Sequence, residues 1–272
     1  MNKAAFENEK PLENIVPDGG FCSIFETMAC IGDSLASGEF ESTNADGSTG
    51  YHDMFRYSWI QFMARKCGFT GYNFTRGGMT AKEFNASFGK AAGFEDEDKK
   101  AQGYIIALGV NDLYNCRYEV GSVADIDFDN FENNAGTFAG EYAKIIQKIK
   151  KMQPKARIFL VTMPNDCGRT KGVDQARTEE VQRYRAAQGA LLHEFAKIFE
   201  FTYVIDLTAF APVYDDDFRD FYFLGGHMNP MGYKFTADMI ASYIDYIIRH
   251  NPEDFKQVGF IGKPFHSAKA RW

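Results

Sequence analysis

An α/β protein, with helices on both faces of a parallel sheet in a three-layer α/β/α sandwich, is what the residue pattern of this chain predicts. Short apolar runs alternate with longer amphipathic stretches from end to end. Several of the runs are apolar at consecutive positions, as strands buried on both faces should be. The third observation is an absence: no internal repeat and no Pro/Gly/Ser-rich linker interrupts the alternation, so a single domain over residues 1–272 is expected.

Strand-like segments fall at Thr27 to Ile31, Gly71 to Phe74, Tyr104 to Leu108, Ile158 to Met163 and Tyr203 to Ile205. Between them, apolar residues recur at helical spacing. Phe55, Trp59, Phe62 and Met63 form one face, and Tyr142, Ile145, Ile146, Ile149 and Met152 a second. Val181, Tyr184, Leu191, Leu192, Phe195 and Phe199 form a third, and Phe235, Met239, Tyr243, Ile244 and Ile247 a fourth. These stripes read as core. Residues 1–24 read as an irregular lead-in, and residues 251–272 as an extension that follows the last helix.

Composition narrows the function classes. The 272 residues are 45% hydrophobic and 25% charged, ordinary for a soluble globular enzyme. A formal net charge of -7 argues against nucleic acid or an anionic membrane as the main partner and leaves a small-molecule substrate. The polar start of the chain predicts no signal peptide, and no run approaches the ~18 apolar residues of a membrane span. The five cysteines (Cys22, Cys30, Cys67, Cys116, Cys167) are widely spaced, which fits reduced thiols in a cytoplasm better than disulfides or a zinc site. Oligomeric state is not legible in the sequence.

Four segments carry chemistry. Ile31-Gly32-Asp33-Ser34-Leu35 ends the first strand and places a hydroxyl at the carboxyl edge of the sheet, where open α/β sheets build their sites. Asn73-Phe74-Thr75-Arg76-Gly77-Gly78 follows the second strand, and Gly109-Val110-Asn111-Asp112 the third. Gly225-Gly226-His227-Met228-Asn229-Pro230 forms a turn before the last helix, with Pro230 suited to its first position.

In this order the four segments resemble the sequence blocks of the SGNH hydrolases, the GDSL esterase/lipase superfamily, across roughly residues 26–249. The resemblance implies a flavodoxin-like fold and a serine esterase. Ser34 would be the nucleophile and His227 the general base. The oxyanion hole would comprise the backbone N–H groups of Ser34 and Gly78 and the side-chain amide of Asn111. Gly78 is assigned over Gly77 because the family's glycine precedes a two-residue step to Thr, here Met79-Thr80. Substrates in the family include short acyl esters, acetylated sugars, lipids and thioesters. A small soluble ester, such as an acetylated saccharide, fits this chain better than bulk lipid. Two alternatives stand beside this reading: a non-catalytic binding module of the same fold, and an acyltransferase that uses the same site.

One departure bears on all three. The family usually carries an Asp three residues before the His, and here that position is Leu224. A main-chain carbonyl close to Leu224 could orient the imidazole, a carboxylate such as Asp220 or Asp166 could replace the missing acid, or activity could have been lost. The carbonyl is preferred, because the other blocks remain and a carbonyl can fix the tautomer.

The remaining patterns are plainer. His193 lies within a helix and lacks the second His of His-Glu-x-x-His, His250 ends a helix, and His52 and His266 read as surface residues. Asp125-x-Asp127-x-Asp129 lacks the Gly and Glu of a calcium loop. Glu95 to Asp98 and Asp215 to Asp217 read as exposed acidic loops. There is no Walker loop and no Gly-x-Gly-x-x-Gly after a strand, so neither a metal nor a nucleotide cofactor is expected.

Overall fold

Residue alternation along the first apolar run divides the core in two. In strand β1 (Thr27–Gly32), Met28 and Cys30 enter one buried cluster while Ala29 and Ile31 enter the other. The computed structural model, which describes residues 8–166 and 175–263, repeats this division along the sheet. The short turn α1 (Ser34–Ser37) follows β1, and then come β2 (Glu39–Thr43), β3 (Thr49–Asp53), α2 (Trp59–Cys67), β4 (Thr70–Thr75) and β5 (Gly103–Ala107). After these come α3 (Phe138–Met152), β6 (Arg157–Val161), α4 (Gln175–Ile198), β7 (Thr202–Ile205), α5 (Asp216–Tyr222) and α6 (Pro230–His250).

Five strands form one parallel sheet in the order β4-β1-β5-β6-β7. All five expected strand segments are present, with boundaries moved by a few residues at most. Helices α2 and α6 cover the face that holds Met28, Cys30, Ile105 and Phe159. Helices α3 and α4 cover the face that holds Ala29, Ile31, Ile106 and Leu160. This is the three-layer α/β/α arrangement, and the strand order reverses at β1, between its neighbours β4 and β5. Ligand sites of such sheets lie in the crevice outside the carboxyl ends at that reversal.

The helix stripes are buried nearly as expected. Trp59, Ile60 and Met63 of α2 are in the core, but Phe55 sits in a short 3₁₀ turn and is exposed. Asp215 to Asp217 are not a loop: Asp215 Oδ1 accepts the Phe218 N–H at 3.0 Å as the N-cap of α5, and Asp216 and Asp217 fill its first turn. Segments outside the sheet dock on α6. Phe21 N donates to Asp245 Oδ1 at 2.7 Å, and Arg249 binds Glu9 through Nη2 at 2.8 Å.

The antiparallel hairpin β2–β3 was not anticipated from the sequence. It closes through the turn Asn44 to Ser48 and pairs Glu39 with Asp53 and Glu41 with Tyr51. A two-stranded hairpin is marginal by itself, so its anchors matter. The ring of Phe40 lies 5.0 Å from that of Tyr57 and 5.8 Å from that of Tyr233. The buried hydroxyl of Tyr233 lies 2.7 Å from the Glu39 carbonyl oxygen and 3.0 Å from that of Ser34, tying hairpin and α1 to α6.

A second buried tie joins the turns after β4 and β5. Asp112 Oδ1 accepts the Ala81 N–H at 2.8 Å, while Oδ2 has no partner among the described residues. Burial pushes this carboxyl up to about 7. A folded-state value above the ordinary ~3.9 means that the folded chain holds the proton more tightly than the unfolded chain. Its contribution to stability is therefore complete below about pH 4 and declines by at most ~1.4 kcal/mol per pH unit as pH rises. The contribution is gone once pH passes the folded value of about 7. Asp112→Asn, which cannot ionise, should gain stability relative to wild type on going from pH 4.5 to 7.5, read as the difference in Tm by thermal denaturation. A difference independent of pH would refute the account.

Candidate active site

Ser34 begins a helical turn immediately after β1 because Asp33, in extended conformation, caps it: Asp33 Oδ1 accepts the Leu35 N–H at 3.0 Å. The first N–H groups of a helix, that of Ser34 among them, have no partner within it. Burial, opposed by the Leu35 N–H and reinforced by Asp112 and Glu39, pushes the Asp33 carboxyl up to about 7.

The other predicted residues converge on the same cleft. Ser34, Gly78, Asn111 and His227 all line a depression of about 490 Å³, together with Glu39, Tyr51, Tyr114, Asn115, Asp166, Tyr214 and Arg219. Gly78 has φ +71°, a conformation that favours glycine. The Asn111 amide is fixed on both sides. Its Nδ2 donates to the Met79 carbonyl at 3.3 Å, and its Oδ1 accepts from Asn115 Nδ2 at 2.7 Å. An amide nitrogen carries two donors, so one N–H remains beyond the bond to Met79.

The imidazole environment differs from expectation. His227 Nδ1 lies 2.6 Å from Glu41 Oε1, and both side chains are largely buried. No carbonyl near Leu224 takes this place: Leu224 N donates to the His227 carbonyl at 2.8 Å in a small antiparallel bridge, and its side chain is exposed. Asp220 is exposed on α5. Asp166 lines the cleft, but its Oδ2 is bound by Arg219 Nη2 at 2.6 Å. The expectation of a carbonyl acceptor, and that of Asp220 or Asp166 as the displaced acid, are thus replaced by a glutamate from the hairpin. Charge decides the difference, since hydrogen bonds that involve a charged group contribute ~1.5–3 kcal/mol against ~1 for a neutral pair.

Two glycines admit that glutamate. A Cβ on Gly225 would lie 2.3 Å from Glu41 Oε2, and one on Gly226 would lie 2.8 Å from Oε1. The Gly226 N–H also donates to Oε1 at 2.9 Å. The sequence did contain a signal for this supply line. Glu39 and Glu41 alternate on one side of a strand, and Asp46-Gly47 marks a hairpin turn.

Glu39, two residues earlier on the same side of β2, reaches the opposite nitrogen: its Oε1 lies 3.1 Å from His227 Nε2. Burial, opposed by His227 and reinforced by Asp53 and Glu41, holds the Glu39 carboxyl above the usual carboxylate range. Tyr51 of β3 meets the imidazole edge to face, with ring centroids 5.7 Å apart.

Among the described residues, none of the other histidines and cysteines lines the cleft. His193 Nε2 pairs with Asp206, His52 with Ser42, and His250 stacks on Tyr246. Cys22, Cys30 and Cys67 are buried free thiols and Cys116 is an exposed one. Cys167 and His266 fall outside the described residues.

Solved structures share this fold. A family two carbohydrate esterase from Clostridium thermocellum, in complex with cellohexaose, aligns at TM-score 0.53 and 14% identity over 90% of this chain and 66% of its own. A family 3 carbohydrate esterase from Clostridium thermocellum aligns at TM-score 0.50 and 15% identity, covering 82% of this chain and 96% of that one. The psychrotrophic esterase EstA from Pseudoalteromonas sp. aligns at TM-score 0.51 and 12% identity, covering 82% and 98%. At such identities the likeness is one of fold. No curated protein matches the sequence. The model of the GDSL-like Lipase/Acylhydrolase family matches residues 30–235, a span that runs from β1 into α6 and contains Ser34, Gly78, Asn111 and His227. This chain therefore belongs to the GDSL-like Lipase/Acylhydrolase family and is a carboxylic ester hydrolase.

Proposed function

We propose that the enzyme hydrolyses short acyl esters of small polyhydroxylated alcohols, acetylated saccharides foremost, with Ser34 as nucleophile, His227 as base and Glu41 as the acid that orients it. One observation carries the reading: His227 shares a cleft with Ser34 while a carboxylate lies 2.6 Å from its Nδ1. Glu41 fixes the tautomer with the proton on Nδ1 and leaves Nε2 as the base. It also stabilises the imidazolium that forms when the Ser34 proton is taken.

Ser34 Oγ then attacks the ester carbonyl, and the resulting oxyanion is held by the N–H groups of Ser34 and Gly78 and the amide of Asn111. His227 gives its proton to the leaving alcohol. Water, deprotonated by the same nitrogen, frees the acid and restores Ser34. The substrate class is supported by the cleft wall. Tyr51, Tyr114 and Tyr214 contribute aromatic side chains, and Asn115 and the Asp166–Arg219 pair offer polar groups. The carbohydrate esterases of similar fold point the same way. A cytoplasmic setting goes with the free thiols at Cys22, Cys30, Cys67 and Cys116.

Three measurements bear on these roles. Ser34→Ala should lower turnover ~10⁴-fold or more, and a fluorophosphonate should label Ser34; labelling at a different serine would remove the assignment. Glu41→Gln keeps a neutral acceptor beside Nδ1 and should cost roughly 10²–10⁴-fold in kcat, whereas Asp220→Ala should change kcat by no more than a few-fold. The reverse ranking would mean that Asp220 and not Glu41 serves the base. Asn111→Ala should lower kcat by ~10²–10³-fold with little change in KM. A normal kcat with a raised KM would make Asn111 a ground-state binding residue.

A further inference from the structure

In the mechanism proposed above, a tetrahedral intermediate on Ser34 carries three groups besides the serine oxygen: the oxyanion, the leaving alkoxide and the acyl chain. The oxyanion belongs with the Gly78 and Asn111 donors, and the alkoxide must face His227, which protonates it. The acyl chain takes the side that is left. The cleft adjoins a second, much smaller chamber of about 20 Å³. Leu35, Val110 and Pro164 line both spaces, whereas Ser34, Gly78, Asn111 and His227 line the cleft alone.

The chamber lies at the carboxyl ends of three strands. Leu108 follows β5, Val161 ends β6 and Leu207 follows β7, and all three are buried. Leu35 is next to Ser34 and Val110 next to Asn111, so neighbours of the proposed nucleophile and oxyanion donor form its mouth. The oxygen-bearing side chains that line it are engaged. Asp33 Oδ1 accepts the Leu35 N–H at 3.0 Å, and Thr162 Oγ1 accepts the Thr208 N–H at 3.0 Å and lies 3.3 Å from Asp206 Oδ1. The rest of the lining is hydrophobic. A cavity of ~10–15 Å³ holds one water, so this one takes a group of about one carbon. Its wall favours a methyl there over water.

We propose that this chamber is the acyl subsite: it takes the methyl of an acetyl group, and Val161 and Leu207, which line the chamber and not the cleft, limit acyl length. The proposal rests on the reading of Ser34 as nucleophile and His227 as base, and adds to it the residues that select the acyl group. Size separates the two halves of the substrate. The alcohol has an open cleft of about 490 Å³, and the acyl methyl a chamber of about 20 Å³. A hydrophobic pocket discriminates by ~10–200-fold for a single methylene. A longer acyl chain must push the wall back or turn out into the cleft.

The test is kcat/KM for p-nitrophenyl acetate, butyrate and hexanoate. Wild type should prefer acetate over butyrate by ~10-fold or more. Leu207→Ala removes three carbons from the chamber wall and should raise the butyrate-to-acetate ratio by ~10-fold or more. Leu192→Ala opens a comparable hole in the other half of the core, where the side chain lines neither space, and should leave the ratio as in wild type. Should Leu207→Ala not fold, Val161→Ala cuts back the same wall and should raise the ratio in the same direction. A wild type that takes hexanoate as well as acetate, with Ser34 labelled by a fluorophosphonate, overturns the proposal alone. So does a ratio that stays in place in the folded chamber variant, or one that rises equally in Leu192→Ala. Failure of wild type to hydrolyse any of the three esters, with Ser34 unlabelled, overturns the reading of the site and the proposal with it.

Discussion

The contact between Glu41 and His227 depends on backbone as much as on side chains. Its carboxylate comes from a hairpin, the imidazole from a turn 186 residues later in the chain, and the two meet at 2.6 Å only because Gly225 and Gly226 present no Cβ. The glycines do more than make room. With no side chain at 226, its N–H can approach and bond Oε1, so that oxygen faces two donors, one from the backbone and one from the ring. A carboxylate with two donors is held in one orientation, and an imidazole held by such a carboxylate has its second nitrogen aimed as well. The aim of Nε2 is thus decided at positions 41, 225 and 226.

The hairpin could not do this if it were free. Two strands alone bury too little to define a position to within a hydrogen bond, and the tip of β2–β3 is exposed. Precision comes from the base of the hairpin. Tyr233, in the second turn's reach of α6, meets the carbonyls of Glu39 and Ser34, so one hydroxyl sets the distance between acid strand and nucleophile turn. Ser37 Oγ donates to Asp53 Oδ1 at 2.5 Å and ties the other strand to the same turn. Since Tyr233 and His227 belong to α6 and its entry loop, the proposed acid, base and nucleophile are referred to a common element.

The fold was legible because its signals are local. Consecutive apolar runs mark buried strands, and stripes at helical spacing mark the layers on either side. Ser34, Gly78, Asn111 and His227 stand beside glycines at strand ends or a helix entry, so short motifs mark them. Glu41 carries no such mark. A carboxylate on an exposed-looking stretch between Gly38 and Asp53 is chemically identical to a solvated one, and its partner is distant in the chain. Asp220 and Asp166, the carboxylates that the sequence offers as replacements for the acid missing at Leu224, carry no more local signal than Glu41 does. The physical requirement is only that a carboxylate reach Nδ1, and a hairpin inserted after the nucleophile meets it equally well. Gly225-Gly226 is the one local mark of that arrival, since two residues without Cβ atoms leave room for an incoming side chain.

Charge balance then constrains how the site can operate. Asp33, Glu39, Glu41 and Asp53 lie close enough for Glu39 to be affected by Asp53 and Glu41, and for Asp33 to be affected by Glu39. Esterolysis adds another negative charge in the same cleft when the tetrahedral oxyanion forms. Glu39 packs against Gly77, the neighbour of the proposed donor Gly78, so a bare Glu39 carboxylate would oppose the charge that the hole is meant to hold. In the proposed mechanism an imidazolium at His227 would lie between Glu39 and Glu41 and lessen that opposition. A positive charge taken up by the imidazole in the proposed attack would lie beside both carboxylates that flank it, Glu39 at 3.1 Å and Glu41 at 2.6 Å, and would offset the charge developing on the ester oxygen in the same cleft.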